Sequence, residues 1–303
     1  VYPFIPKSKI WTKEQGCLFA YSFSDFRKIA MPYTLQNLQL NTAFAHIQKG
    51  NYKAAAPIIR QFAEQGDVDA QYQLAFMYEQ GLGVPNDFAA AAKWYLAAAE
   101  QGDSAAQFNL AMLYESELNG VPQDYAAALK WYTAAFEQGE WDAANFLARL
   151  YAEGLGVPQD YAKAMQYWQA VAEHDDDDEA LYNLGVCYDD GLGVKSDYAR
   201  AAQYYQRAAE LGNSDAMVNL GMLYQEGYGV EKDETRAAQW FRQAAELGDS
   251  DGQLNLGFAY AEGSGVEQDL QEAQAWWQIA AELGNKEAAR ALVVLEKILA
   301  EES

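Results

Sequence analysis

One short string recurs along the chain at near-constant spacing, and nothing else in the sequence limits the fold as tightly. It reads GLGVPQD from Gly154, with variants starting at Gly81, Asn119, Gly191, Gly227 and Gly263. From Gly154 the successive steps are 37, 36 and 36 residues. A glycine loop that cradles a phosphate is needed once per site, whereas a turn is needed once per structural unit, so this repetition marks turns. A period near 36 is the signature of a stacked array in which each unit touches only its neighbours. It overrides the one or two domains that 303 residues would otherwise suggest.

The period divides the chain into units at 67–102, 103–139, 140–176, 177–212, 213–248 and 249–284. Each holds two helical patterns. In the first unit helix A is expected from about Ala70 to Gln80, with Ala70, Leu74 and Tyr78 one turn apart, and helix B from Asp87 to Gln101. Gly81 suits the left-handed end of helix A, Val84 is a candidate apolar anchor, and Asp87 is placed to cap helix B. Seven and eight residues after that aspartate comes an aromatic pair, from Trp94-Tyr95 in the first unit to Trp276-Trp277 in the last. Adjacent residues lie about 100° apart on a helix, so one ring can face its own unit while the other reaches the next. Alanines and Gly102 then close the unit.

The pattern A-x-x-x-L-G-x-x-Y-x-x-G-x-G-V-x-x-D, followed by A-x-x-W-Y-x-x-A-A-E-x-G, resembles the Sel-one-like repeat, a relative of the tetratricopeptide repeat. The resemblance covers 67–284, with Gly185, Gly221 and Gly257 at the small helix A position and Ala75, Ala111 and Ala148 elsewhere. It implies an all-α fold: a right-handed α/α superhelical solenoid of six helix pairs, without catalytic activity of its own, used to bind proteins or peptides. It also implies that bacterial members serve as envelope scaffolds or as inhibitors that protect a cell from its own secreted toxins. Three departures stand out. The turn from Glu115, ESELNGVPQD, has an extra residue. A degenerate pair at 31–66 carries Pro57 in its second helix, where it should disturb the hydrogen bonding. EHDDDDEA from Glu173 lacks the closing glycine and gains a residue, so the stack is expected to bend or loosen there.

Helix A lines the inner, concave wall of such a solenoid. Two residues beyond each core leucine, about 200° round the helix, stand Phe76, Met112, Arg149, Val186, Met222 and Phe258. Two residues before it stand Tyr72, Phe108, Asn145, Tyr182, Val218 and Leu254. Five or six residues beyond it come Glu79, Glu115, Glu153, Asp189, Asp190, Glu226 and Glu262. An apolar floor edged by carboxylates suits a basic segment with a few aliphatic or aromatic anchors; inter-repeat packing and a solvated face are the plainer alternatives. Arg149 and Asn145 break both rows in one unit and, with the HDDDD run, single out the third and fourth units.

The remaining chemistry is sparse. Of the two histidines, His46 and His174, neither lies in an H-E-x-x-H motif; no G-x-S-x-G elbow or C-x-x-C pair occurs. No catalytic residue, metal site or cofactor is assigned. Cys187 takes an apolar helix A position and is expected to be a buried thiol; Cys17 carries no pattern. A net charge of −23 argues against nucleic acid and anionic lipid, and no apolar run is long enough for membrane insertion. The expected partner is therefore a basic protein and the free chain a monomer, in the bacterial periplasm or cell envelope, with the cytoplasm as the alternative. Residues 1–30 differ in holding five basic residues against two acids, which leaves −26 for the rest. Their aromatic character suits an N-terminal capping segment or, alternatively, a strap in or beside the acidic groove. Residues 285–303 contain a C-terminal capping helix, Lys286 to Leu299, with Ala288, Leu292, Leu295 and Leu299 at helical spacing. The function expected is inhibition, of the immunity type, or sequestration of a basic bacterial protein such as a secreted toxin. The alternative is an envelope scaffold or adaptor assembling a multiprotein complex.

Overall fold

The structure, a computed structural model, describes residues 35–301. Fifteen helices run through the described residues, whose β structure is limited to one isolated bridge between Leu118 and Val121. Helices α1 (Leu35–Gln48) and α2 (Tyr52–Glu64) form a leading pair. Six A–B pairs follow: α3 (Val68–Gln80) with α4 (Phe88–Ala99), α5 (Ser104–Glu115) with α6 (Tyr125–Glu137), and α7 (Asp142–Glu153) with α8 (Tyr161–His174). Then come α9 (Asp178–Asp190) with α10 (Tyr198–Glu210), α11 (Ser214–Glu226) with α12 (Glu234–Glu246), α13 (Ser250–Glu262) with α14 (Leu270–Glu282), and a last helix, α15 (Lys286–Glu301). Each helix packs chiefly on the ones before and after it. Beyond that, α9 approaches α11 and α11 approaches α13, more closely than any two B helices among those described. The A helices thus lie on the inside of the superhelical curve.

The turn residues act as their chemistry predicts. Asp67 caps α3 by accepting from the Ala70 N–H at 2.9 Å, so helix A starts at Val68, two residues earlier than expected. Asp87 caps α4 through the Ala90 N–H, and Gly81 ends α3 at φ 67. The second turn glycine has a different duty. A Cβ on Gly83 would lie 2.5 Å from the carbonyl carbon of Tyr52, at the start of α2, and Gly156, Gly193 and Gly229 meet the starts of α6, α8 and α10 in the same way. The G-x-G spacing therefore joins consecutive units as well as turning the chain.

Of each aromatic pair, the second ring is the core residue: Tyr95, Tyr132, Trp168, Tyr205, Phe241 and Trp277 are all buried. It sits on the small residue of its own helix A. A Cβ on Gly185 would lie 2.5 Å from Cδ1 of Tyr205, and one on Gly221 2.5 Å from Cε1 of Phe241. The first ring leans on tyrosines of its own helix A, with Tyr167 stacked on Tyr151 and Tyr204 on Tyr188. Tyr167 also meets Phe136, so this ring reaches the preceding unit rather than the following one.

Two expected disturbances are milder than the sequence suggests. Helix α2 runs through Pro57 to Glu64, and only the one N–H that proline lacks is removed. The HDDDD junction is not loosened: α8 packs on α9 as the other B helices pack on the A helices that follow them, and a single core cluster spans it from Trp168 to Leu184. The inserted residue is absorbed by an extended Asp175, whose carbonyl accepts from the Asp177 N–H at 2.8 Å, and Asp177 then caps α9. In α15, Ala288 and Leu295 are buried against the end of the array. The side chain of Leu299, Cys17 and residues 1–34 lie outside the described residues.

Candidate protein-binding inner wall

Charge is segregated between the two helix layers. The six A helices carry thirteen acidic residues and one basic residue, Arg149. The six B helices carry seven of each sign. The A helices are thus strongly anionic, whereas the B helices balance within their spans and gain negative charge from the aspartates that cap them, Asp87, Asp124, Asp160, Asp197, Asp233 and Asp269. Even the lone cation is neutralised, because Arg149 pairs with Glu115 of the preceding unit and lies 3.8 Å from Glu153.

The predicted rows separate by depth. Phe76, Met112, Arg149, Val186 and Met222 are half-buried, and Phe258 is exposed to 38% while its ring meets Trp277 edge-on at 5.1 Å. In the second row Tyr72, Phe108, Asn145 and Tyr182 are half-buried, and Phe108 bridges to Phe146 of the next A helix at 5.5 Å. Val218 and Leu254 are buried. Leu254 is covered by Trp277, which donates from Nε1 to its carbonyl oxygen at 3.1 Å. These two positions therefore support the wall from beneath.

The predicted acids fall into two kinds. Glu79 accepts from the Tyr95 hydroxyl at 2.7 Å, Glu115 from Tyr132 at 3.0 Å, and Asp189 from Tyr205 at 3.1 Å. Burial raises the carboxyl pKa of Glu79 above its usual range, against the opposing pull of the Tyr95 hydrogen bond. Asp189 is raised for the same reason, with repulsion from Asp190 adding to it. By contrast Glu153, Asp190, Glu226 and Glu262, one residue further along, are exposed. The sequence held a signal for this division. An acid stands five residues past the leucine only where the core ring is tyrosine; Ala152, Gln225 and Ala261 stand there when it is Trp168, Phe241 or Trp277.

The breaks in the rows have structural partners. Asn145 donates to Asp177 at 3.3 Å, Asn213 donates to Asp178 at 2.9 Å, and Arg207 pairs with Asp176 at 2.7 Å. The acidic run therefore stitches three units together, and His174 stacks on Trp141 at 4.1 Å. Among the described residues no group of three or more His, Cys, Asp or Glu is placed to hold a metal ion. Cys187 is buried and its thiol is pushed up to about 12 by burial, which keeps it protonated at neutral pH. No helix among the described residues is long and apolar enough to cross a membrane.

Comparison with known proteins agrees with this architecture. The Sel1 repeat model matches at 68–103, 104–140, 141–176, 178–213, 214–249 and 250–285. A protective antigen of uropathogenic Escherichia coli with an SLR fold is 34% identical over 86% of this chain, with a TM-score of 0.76; the chain spans 56% of that protein. A Sel1 repeat protein from Oxalobacter formigenes is 33% identical, covering 80% of this chain and 96% of its own, with a TM-score of 0.64. An immunity protein from Pseudomonas aeruginosa is 23% identical over 61% of this chain and 67% of its own, but its TM-score of 0.39 is too low to bear on function. No curated protein matches the chain significantly.

Proposed function

The chain belongs to the Sel1 repeat family, and from that premise we propose that it is a non-catalytic binding protein whose inner wall captures a basic protein. The observation that carries this reading is the segregation of charge: thirteen acids and one arginine within the A helices against seven acids and seven bases within the B helices. Half-buried Phe76, Met112, Val186 and Met222 with the exposed Phe258 would supply apolar anchor sites, and Asp190, Glu226 and Glu262 the steering field. The specific form we favour is inhibition or sequestration of a basic bacterial protein such as a secreted toxin, in the periplasm or envelope, by a monomeric chain. Steered, fast association suits a partner that must be caught before it acts. Envelope scaffolding is the second reading. It draws on a row of exposed leucines, Leu211, Leu247 and Leu283, at the ends of three successive B helices, 48%, 60% and 59% exposed, which would give the last units another surface.

The test is affinity capture from the native host at low and high salt, comparing wild type with Phe76→Ala, Met222→Ala and Phe258→Ala combined. The reading expects a basic protein retained at low salt, released at high salt and lost by the triple variant. Assaying that protein's own activity with and without the chain separates inhibition from scaffolding. A partner held equally by both baits would remove the inner wall from consideration.

A further inference from the structure

We propose that residues 1–30 are an intramolecular ligand of the inner wall, lying along it in the free chain and displaced when a basic partner binds. This rests on the reading of the wall as the binding surface. Charge and side-chain chemistry match: residues 1–30 bring five basic side chains, two acids and seven aromatic rings between Tyr2 and Phe26. The wall offers carboxylates beside partly exposed apolar side chains. A segment that carries the partner's chemistry is drawn to the surface that recognises the partner.

Capping of the first repeat, a duty also open to this segment, falls to α2. Ile59, Phe62 and Ala63 of α2 form one core with Ala70, Leu74 and Met77 of α3, so the first repeat is covered. Among the described side chains of α1, the exposed ones apart from Leu38 are polar or small: Gln39, Asn41, Thr42, Ala45 and Gln48. Reach is sufficient as well. Thirty residues extend to about 100 Å, whereas six A helices at roughly 8–10 Å spacing make a wall of about 50–60 Å.

The experiment uses the full chain and a fluorescent ten-lysine peptide as probe at moderate salt. One variant combines Lys7→Glu, Lys9→Glu and Lys13→Glu. A control of equal net charge combines Lys93→Glu, Lys130→Glu and Lys163→Glu, all on B helices. Removing an intramolecular competitor should tighten peptide binding about tenfold, with the control close to wild type. Zero-length carbodiimide coupling of the wild type should join lysines of residues 1–30 to A-helix carboxylates within one chain. Equal peptide affinity for variant and control, or coupling only to B helices or between chains, would overturn the inference while leaving the wall reading intact. Peptide binding that is absent, or indifferent to Asp190→Asn with Glu226→Gln and Glu262→Gln, would remove the wall reading and this inference with it.

Discussion

At the scale of single residues, the most informative contacts are the three tyrosine hydroxyls that donate to carboxylates beneath the inner wall. Tyr95→Phe removes one of two side-chain donors to the Glu79 carboxylate, the other being Gln80, in a place where burial already disfavours the charge. A hydrogen bond to a charged group contributes about 1.5–3 kcal/mol. The urea midpoint should fall accordingly with an unchanged slope, and adding Glu79→Gln should recover part of the loss. If Tyr95→Phe is neutral, the hydrogen bond contributes nothing net. These pairs were legible in the sequence, since the acid at that offset accompanies tyrosine and no other ring. Treating offsets of five and six as one carboxylate rim hid the distinction: on a helix, one residue is about 100° of rotation, enough to separate a buried acceptor from an exposed charge.

At the scale of helices, each B helix is seated by a ring on a small residue of its A helix. Gly221→Ala should destabilise by about 1–3 kcal/mol through overpacking against Phe241, although alanine is the better helix former by about 1 kcal/mol. Hydrogen exchange should show α11 and α12 opening more readily, with α3 and α4 unaffected, as expected when units contact only neighbours. Uniform loss of protection along the chain would instead indicate a single cooperative block. Helix existence, caps and pairing were evident from period and turn chemistry. Two features were not. The second turn glycine is explained by the neighbouring B helix, a contact that no local pattern encodes. The burial of Val218 and Leu254 depends on neighbours approaching a face that helical periodicity alone assigns to solvent.

At the scale of the whole molecule, acidity governs stability. Burial is the first cause of raised carboxyl pKa values at Asp69, Glu79, Asp103, Glu179, Asp189 and Asp251. With folded values above the ordinary 3.8 for Asp and 4.5 for Glu, the folded chain binds more protons in that window. Stability therefore rises as pH falls from neutrality through the raised values, and levels off below the ordinary ones. Relief of repulsion in a chain of net charge −23 acts in the same direction. Tm should be higher by a few degrees at pH 5 than at pH 7, and the difference should shrink in high salt. A Tm that drops on this mild acidification would show that ionised carboxylates hold the fold together. The ring-and-seat arrangement also limits how such an array can be rebuilt by exchange of parts. A tyrosine-bearing B helix from the first, second or fourth unit, transplanted onto α7, α11 or α13, would bury a hydroxyl without its carboxylate. The reverse graft would bury a carboxylate without its hydroxyl. Duplication or recombination keeps every seat matched only when both helices travel together, so the heritable module of this protein is the complete pair and not the single helix.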